Sequence, residues 1–180
     1  MNIKIIYGFL ATVILASCTT FPVPKPNDST LVIGMVVLNA KGYENYSGAT
    51  VNGTHTGNIE ISIQNVDSGR TEKLISDSSG FFYTNKFEPG KYRLRKLYYK
   101  SSVGGYNADI FTSITNGDRN FEVGKNTVNN LGQITWNADV DEGMQYWLNK
   151  DYQNSKDVFT SVDKDGKWNA IAIEDVTFQK

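Results

Sequence analysis

Ile59-Glu60-Ile61-Ser62-Ile63-Gln64 alternates strictly between apolar and polar residues. Successive side chains of a strand point to opposite faces, so this stretch sends its isoleucines to one side and Glu60, Ser62 and Gln64 to the other. It reads as a half-buried strand. Upstream, residues 31–38 (Leu-Val-Ile-Gly-Met-Val-Val-Leu) form a near-continuous apolar run around Gly34, as expected of a strand buried on both faces. Downstream, further strands are expected at residues 71–76, 81–84, 91–98, 109–114, 120–123, 128–136, 158–162 and 168–178. Turn chemistry separates them: Asp67-Ser68-Gly69, Ser78-Ser79-Gly80, Glu88-Pro89-Gly90, Asn116-Gly117-Asp118 and Asp163-Lys164-Asp165-Gly166. Short strands at this spacing indicate two packed sheets.

Residues 139–152 form the best helix candidate, with Met144, Trp147 and Leu148 on one helical face, Asp141 available as a cap and Gly143 weakening the first turn. The tail from residue 158 to 178 then reads as a hairpin turning at Asp165-Gly166. The fold class expected is mainly β: an Ig-like or prealbumin-like antiparallel β-sandwich over residues 31–137, followed at 138–180 by one short C-terminal helix and a final hairpin packed on it. The polar stretch 40–57 is expected as a long insert.

Ser76-Asp77-Ser78-Ser79-Gly80-Phe81-Phe82-Tyr83, followed by Phe87-Glu88-Pro89-Gly90-Lys91-Tyr92-Arg93-Leu94, resembles the signature of carboxypeptidase-regulatory-like (transthyretin-like, prealbumin-like) sandwich domains. In that pattern a polar turn ending in Gly leads into an aromatic strand, and Pro-Gly-x-Tyr opens the next. The physical sense is direct. Pro89 fixes φ at the first corner, Gly90 tolerates a positive φ at the second, and the Tyr92 ring is buried while its hydroxyl reaches a backbone partner near the corner. Phe121-Glu122-Val123-Gly124-Lys125 with Leu131-Gly132-Gln133-Ile134 is similar to the closing strands of such domains.

The first residues carry an address. Met1-Asn2-Ile3-Lys4 holds one positive charge, and the apolar run from Ile5 to Ala16 is shorter than the roughly 20 residues a membrane-spanning helix needs. Residues 1–17 therefore read as a cleaved signal peptide. Leu15-Ala16-Ser17-Cys18 resembles the lipobox of bacterial lipoproteins. That resemblance implies lipidation of Cys18 by diacylglyceryl transfer to its sulfur, cleavage before it, and a membrane partner engaged through acyl chains worth about 0.8 kcal/mol per buried methylene. Thr19, in place of the Asp that signals inner-membrane retention in that family, implies the outer membrane of a cell envelope. Residues 18–30 contain three of the four prolines and are expected to form a semi-stiff polyproline tether at about 3.1 Å per residue.

Function classes narrow by composition. Lys and Arg (18) nearly match Asp and Glu (19), and the formal net charge of -1 gives no electrostatic footprint for nucleic acid. A single cysteine excludes an intrachain disulfide, so packing alone must hold the fold. One histidine, His55, lies in a polar loop sequence, and no Gly-x-Ser-x-Gly elbow accompanies it. Zinc sites built from several His and Cys are excluded by count. Asp163-Lys164-Asp165-Gly166 fails as a calcium loop, because aligning Gly166 with the loop glycine puts Ser161 and Ala172 where Asp and Glu are required. Neither a metal nor a cofactor is expected, and no catalytic residue emerges. The remaining chemistry-bearing groups are aromatic: Tyr98, Tyr99, Tyr106 and Trp136 first, with Trp147 and Trp168 beside them. The expectation is a noncatalytic, membrane-anchored protein-binding or scaffolding module. Its alternative is a carbohydrate-binding lipoprotein that uses exposed rings.

Overall fold

The computed structural model describes residues 21–26, 29–44, 50–103, 106–115, 119–149 and 151–179. In chain order the elements are β1 (Leu31–Glu44), β2 (Thr50–His55), β3 (Ile59–Asn65), β4 (Thr71–Ile75), β5 (Phe81–Thr84), β6 (Gly90–Val103), β7 (Tyr106–Ser113), β8 (Asn120–Val123), β9 (Val128–Asp139), β10 (Gly143–Asn149), α1 (Gln153–Val162) and β11 (Ile173–Asp175). They make a mainly β structure of two sheets. The first runs β10-β9-β1-β2 and the second β4-β3-β6-β7.

Each sheet is organised by long strands that take two short partners along one edge. β1 pairs β5 along its first half and β2 along its second, β9 pairs β11 and then β10, and β6 pairs β8 and then β7. The expectation of an antiparallel sandwich needs one correction. β1 and β9 run parallel from Leu31↔Val128 to Lys41↔Asp139, and β11 also joins β9 in parallel. Parallel neighbours require a long crossover, and here the whole second sheet lies between β1 and β9 in the chain and supplies it.

The isoleucines of β3 point into the space between the sheets, where Ile59, Ile61 and Ile63 meet Leu94 and Leu97 of β6 and Leu38, Ile134 and Trp136 of the first sheet. Burying each such side chain is worth roughly 1.5–3 kcal/mol. The apolar run of β1 is buried on both faces, as its composition predicts. Val32, Val36 and Leu38 enter this core, while Leu31, Ile33 and Met35 enter a second cluster outside the first sheet, closed by Phe81, Val128, Phe159 of α1 and Trp168. Gly34 is where the backbone must thin: a Cβ there would lie 2.5 Å from Cζ of Phe82. Gly80 has φ +91° and would put a Cβ 2.5 Å from the Val36 carbonyl oxygen. Asp77 fixes that turn, its Oδ1 accepting from Ser79 N (2.8 Å) and Phe81 N (3.1 Å). The Tyr92 hydroxyl donates to the Glu88 carbonyl at 2.8 Å, the corner contact that Pro89-Gly90-Lys91-Tyr92 announces.

The segment after residue 138 departs from expectation. Residues 139–152 do not form a helix: β9 continues to Asp139, a turn follows, and Gly143–Asn149 returns as β10 beside β9. Met144, Tyr146 and Leu148 alternate into the core, an arrangement that the three-residue spacing of Met144 and Trp147 concealed. Asp141 is no helix cap; its backbone N–H donates to Asp139 Oδ1 (2.8 Å) inside the turn, and Gly143 takes φ +79°. The helix lies at Gln153–Val162, where a hairpin strand is expected, and it packs Phe159 against the apolar outer face of β1. The final hairpin is absent among the described residues; residues 168–178 yield only the short β11. Asp165-Gly166 turns after a helix rather than between strands, organised by Asp163, whose carboxylate accepts from Lys167 N (3.0 Å) and Trp168 N (2.9 Å). The polar stretch 40–57 is not wholly an insert, since its first residues complete β1 and Thr50–His55 forms β2.

Residues 21–26 are not free of the body. The Phe21 ring lies 4.7 Å from that of Tyr83 and 5.8 Å from that of Phe159, and Trp168 Nε1 donates to the Pro22 carbonyl at 2.7 Å. Cys18 and the leader lie outside the described residues.

Candidate functional site

The aromatic residues singled out from the sequence do not converge. Tyr98 and Tyr99 are neighbours on β6 and so face opposite ways. The Tyr98 ring is half-buried on the outer face of the second sheet, in a row with Glu60 of β3 and Phe111 of β7. Burial, together with a hydrogen bond to Asp109 and the charges of Asp109 and Glu60, pushes its phenol above the ordinary tyrosine range. Lys96 covers this aromatic pair, its Nζ 5.3 Å from the Tyr98 ring centre and 4.8 Å from that of Phe111. Tyr99 turns inward against the core and meets His55. Because the His55 Nε2 contact at 3.2 Å is to a carbonyl, that of Asn52, this nitrogen donates and Nδ1 accepts from the Tyr99 hydroxyl at 3.0 Å. Both ring nitrogens of the single histidine are thereby used, Nε2 within β2 and Nδ1 in holding β2 to β6.

Trp136 is corrected outright: it is 0% exposed in the core, so its ring is closed to any ligand. The alternation of β9 is the signal for it: Ile134, Trp136 and Ala138 share the apolar face, and Gln133, Thr135, Asn137 and Asp139 share the polar one. The backbone of Tyr106 opens β7 opposite Val103, and its side chain lies outside the described residues. Trp168 is also buried, sealing the second cluster. Trp147 alone of the three tryptophans reaches solvent, at 43%.

A cleft of about 590 Å³ opens at the end of the sandwich where β1, β7, β9 and β10 come close, lined among others by Tyr43, Glu44, Asp109, Phe111, Asp139 and Met144. Three carboxylates, those of Glu44, Asp109 and Asp139, are among its lining groups. Asp139 is held below the usual carboxylate range by the backbone N–H of Asp141 and then by Lys41, whose Nζ lies 3.2 Å away. Among the described residues no group of three or more His, Cys, Asp or Glu side chains gathers as a metal site, and no helix is long and apolar enough to cross a membrane.

Sequence reasoning passed over the outer face of the first sheet. There Asn39 of β1 and Asn137 of β9 are register partners, and Asn39 Nδ2 donates to Asn137 Oδ1 at 3.0 Å. Thr54 of β2 extends the line, its hydroxyl donating to Asn39 Oδ1 at 3.0 Å, and Gln145 of β10 stands opposite Asn137. Polar residues alternating with core residues mark this face in each strand. Which strands lie side by side could not be read, because the β1–β9 pairing spans nearly a hundred residues.

No family model matches the chain, and no curated protein matches it. A solved leucine-rich repeat protein from Bacteroides thetaiotaomicron is similar over 64% of this chain at 14% identity and a TM-score of 0.29. This chain spans 14% of that protein's length, and a likeness so slight carries no argument about fold or role.

Proposed function

We propose that the protein is a lipid-anchored module of a bacterial cell envelope that acts by binding and carries out no reaction. Cys18 bears the acyl chains, residues 1–17 are removed, and the outer membrane is the preferred location. The observation that carries the reading is where packing begins. Phe21, three positions after Cys18, is already seated on Tyr83 and Phe159, with Pro22 tied to Trp168. A chain starting at Cys18 would have at most about 11 Å of backbone between its lipid and the body, so the body lies close to the bilayer. The first class of ligand is a protein partner, engaged at a sheet edge. β7 and β10 each have one strand partner among the described residues and border the cleft that Phe111 and Met144 line. The resemblance to carboxypeptidase-regulatory-like domains is compatible with such a scaffold and assigns no reaction to it.

The direct test is partition of the expressed protein between aqueous and detergent phases, with mass spectrometry of its N-terminus. The wild type should enter the detergent phase with a modified Cys18 as first residue, and Cys18→Ala should remain aqueous. An unmodified thiol, or a mature terminus elsewhere, overturns the anchor. A photo-crosslinking residue on β10 should join a discrete envelope protein while the same residue on β4 does not; equal labelling from both strands removes the edge as the docking element. The glycan reading is favoured by a separate observation, the Asn39–Asn137 ladder beside Trp147.

A further inference from the structure

On the first sheet, Leu38, Trp136, Ala138, Met144, Tyr146 and Leu148 turn toward the core. The alternate positions face the other way. The register aligns them in two rows across the strands: Thr54, Asn39, Asn137 and Gln145 in one, and Val37, Thr135 and Trp147 in the next. In the first row the hydrogen bonds from Thr54 to Asn39 and from Asn39 to Asn137 fix the amides in orientation and leave the Asn137 NH2 without a partner among the described residues. Trp147 stands about 7 Å along β10 from Gln145. No side chain in either row is charged. On one side the surface ends at Lys41 and Asp139, which neutralise each other at 3.2 Å. On the other it ends at α1, where Asn154 Nδ2 donates to Gln133 Oε1 at 3.2 Å.

We infer that this face binds a neutral glycan laid across the strands, an inference that rests on the reading of the protein as a binding module and names its ligand. A sugar ring has an apolar C–H face and a rim of hydroxyls that both donate and accept. The indole of Trp147 matches the first, and amides, which also donate and accept, match the second. Neighbouring strands lie about 4.8 Å apart, so amides on successive strands recur at a spacing comparable to the width of one ring, and four strands offer about 14 Å, enough for a short oligosaccharide. The absence of charge in the two rows gives an anionic or cationic polymer no electrostatic advantage. A protein partner would favour a dry apolar centre, and here the centre of the surface is the amide row.

The test is native gel electrophoresis of the soluble Cys18→Ala protein through gels containing xyloglucan, galactomannan, amylopectin or hydroxyethylcellulose, with alginate as the anionic comparison, and fluorescence titration with the oligosaccharides of any polymer that retards it. At least one neutral polymer should retard migration, with a shift in tryptophan emission, because Trp136 and Trp168 are buried and Trp147 is exposed. Trp147→Ala and Asn137→Ala should each weaken binding at least tenfold, Trp147→Tyr should retain most of it, and Ile75→Ala, at an exposed position of β4 on the other sheet, should leave it unchanged. Lack of retardation by every neutral polymer, retardation by alginate alone, or retardation indifferent to Trp147→Ala and Asn137→Ala would overturn the assignment. So would a photo-crosslinker at position 147 that joins an envelope protein in the absence of any glycan response. Cleavage of a retained polymer would leave the surface standing and refute the binding-only reading.

Discussion

Asn130 offers a test of how the C-terminal segment is fixed to the sandwich. The side chain is fully buried and every hydrogen-bonding position of its amide is filled. Nδ2 donates to the Tyr152 carbonyl (3.1 Å) and to Asp175 Oδ1 (2.9 Å), while Oδ1 accepts from Gly132 N (3.0 Å) and from the Ser155 hydroxyl (2.6 Å). One amide thus joins the irregular turn of β9, the first turn of α1 and β11. Each bond is worth about 1 kcal/mol net, and a buried donor left unpaired costs about 1–3 kcal/mol. Gly132 N–H has no access to water and bears that cost, whereas the Asp175 carboxylate is exposed and keeps Lys156 at 2.7 Å. Asn130→Ala should therefore destabilise the protein by about 3–4 kcal/mol, a large part of the 5–15 kcal/mol typical of a domain. Ser155→Ala should cost about 1–2 kcal/mol, and the double variant should fall short of the sum by about 1 kcal/mol, because the first substitution already removes the partner of the second. Urea unfolding followed by far-ultraviolet circular dichroism and by tryptophan emission measures all three. A loss under about 1 kcal/mol for Asn130→Ala, or strict additivity with Ser155→Ala, would refute the idea that this amide is the shared joint.

Two further predictions follow from packing and from titration. Gly34→Ala should cost about 1–3 kcal/mol in chemical denaturation, because its methyl would meet Phe82 Cζ at 2.5 Å, and the pair Gly34→Ala/Phe82→Leu should lose less than the two single changes summed. The Tyr152 hydroxyl donates to the Val176 carbonyl at 2.7 Å, and burial with the Asp175 charge raises its pKa against the opposing effect of Lys156. A phenol raised on folding contributes stability that is complete below its unfolded pKa of about 10 and is lost as pH climbs through the folded value, so Tyr152→Phe should flatten the fall in stability above that pH in an alkaline unfolding series.

The legible parts of the fold were those fixed by neighbours in sequence. Ile59 to Ile63 carries its own face assignment, Ser79-Gly80 its own turn, and Pro89-Gly90 with Tyr92 a corner whose partner, Glu88, stands four residues away. The region after Ala138 was illegible because its outcome was decided by distant contacts. Met144, Trp147 and Leu148 satisfy a helical face and Met144, Tyr146 and Leu148 a strand face equally well. The free edge of β9 selected the second. Val158 and Phe159 have strand propensity, yet the apolar outer face of Leu31, Ile33 and Met35 required a cover, and a helix presenting Val158, Phe159 and Val162 supplies one. Tyr152, at the head of that helix, makes no side-chain cap, so the usual start signal is missing.

The same logic explains why counting aromatic residues passed over the amide row. Tyr98, one of the four rings named first, reaches an outer face, but that face is ionic: Glu60 binds Lys73 at 3.0 Å, and Lys96 lies over both Tyr98 and Phe111. A sugar stacking there would first have to displace an ammonium group whose attraction to the rings is worth about 0.5–1 kcal/mol at an exposed site. Trp147 has no such competitor among the described residues; its register partner is Thr135, and the Gln145 amide stands two positions along the same strand. The distinction depends on what stands across the strand from each ring, a property of register. The register also fixes direction: β1 begins at the cluster that seats Phe21 and ends at the cleft, with Val37 and Asn39 between. A body tethered at Cys18 through Phe21 would thus bear its amide ladder beyond the helix-covered end of the sheet, and a chain lying along that ladder would cross the strands rather than follow them toward the membrane.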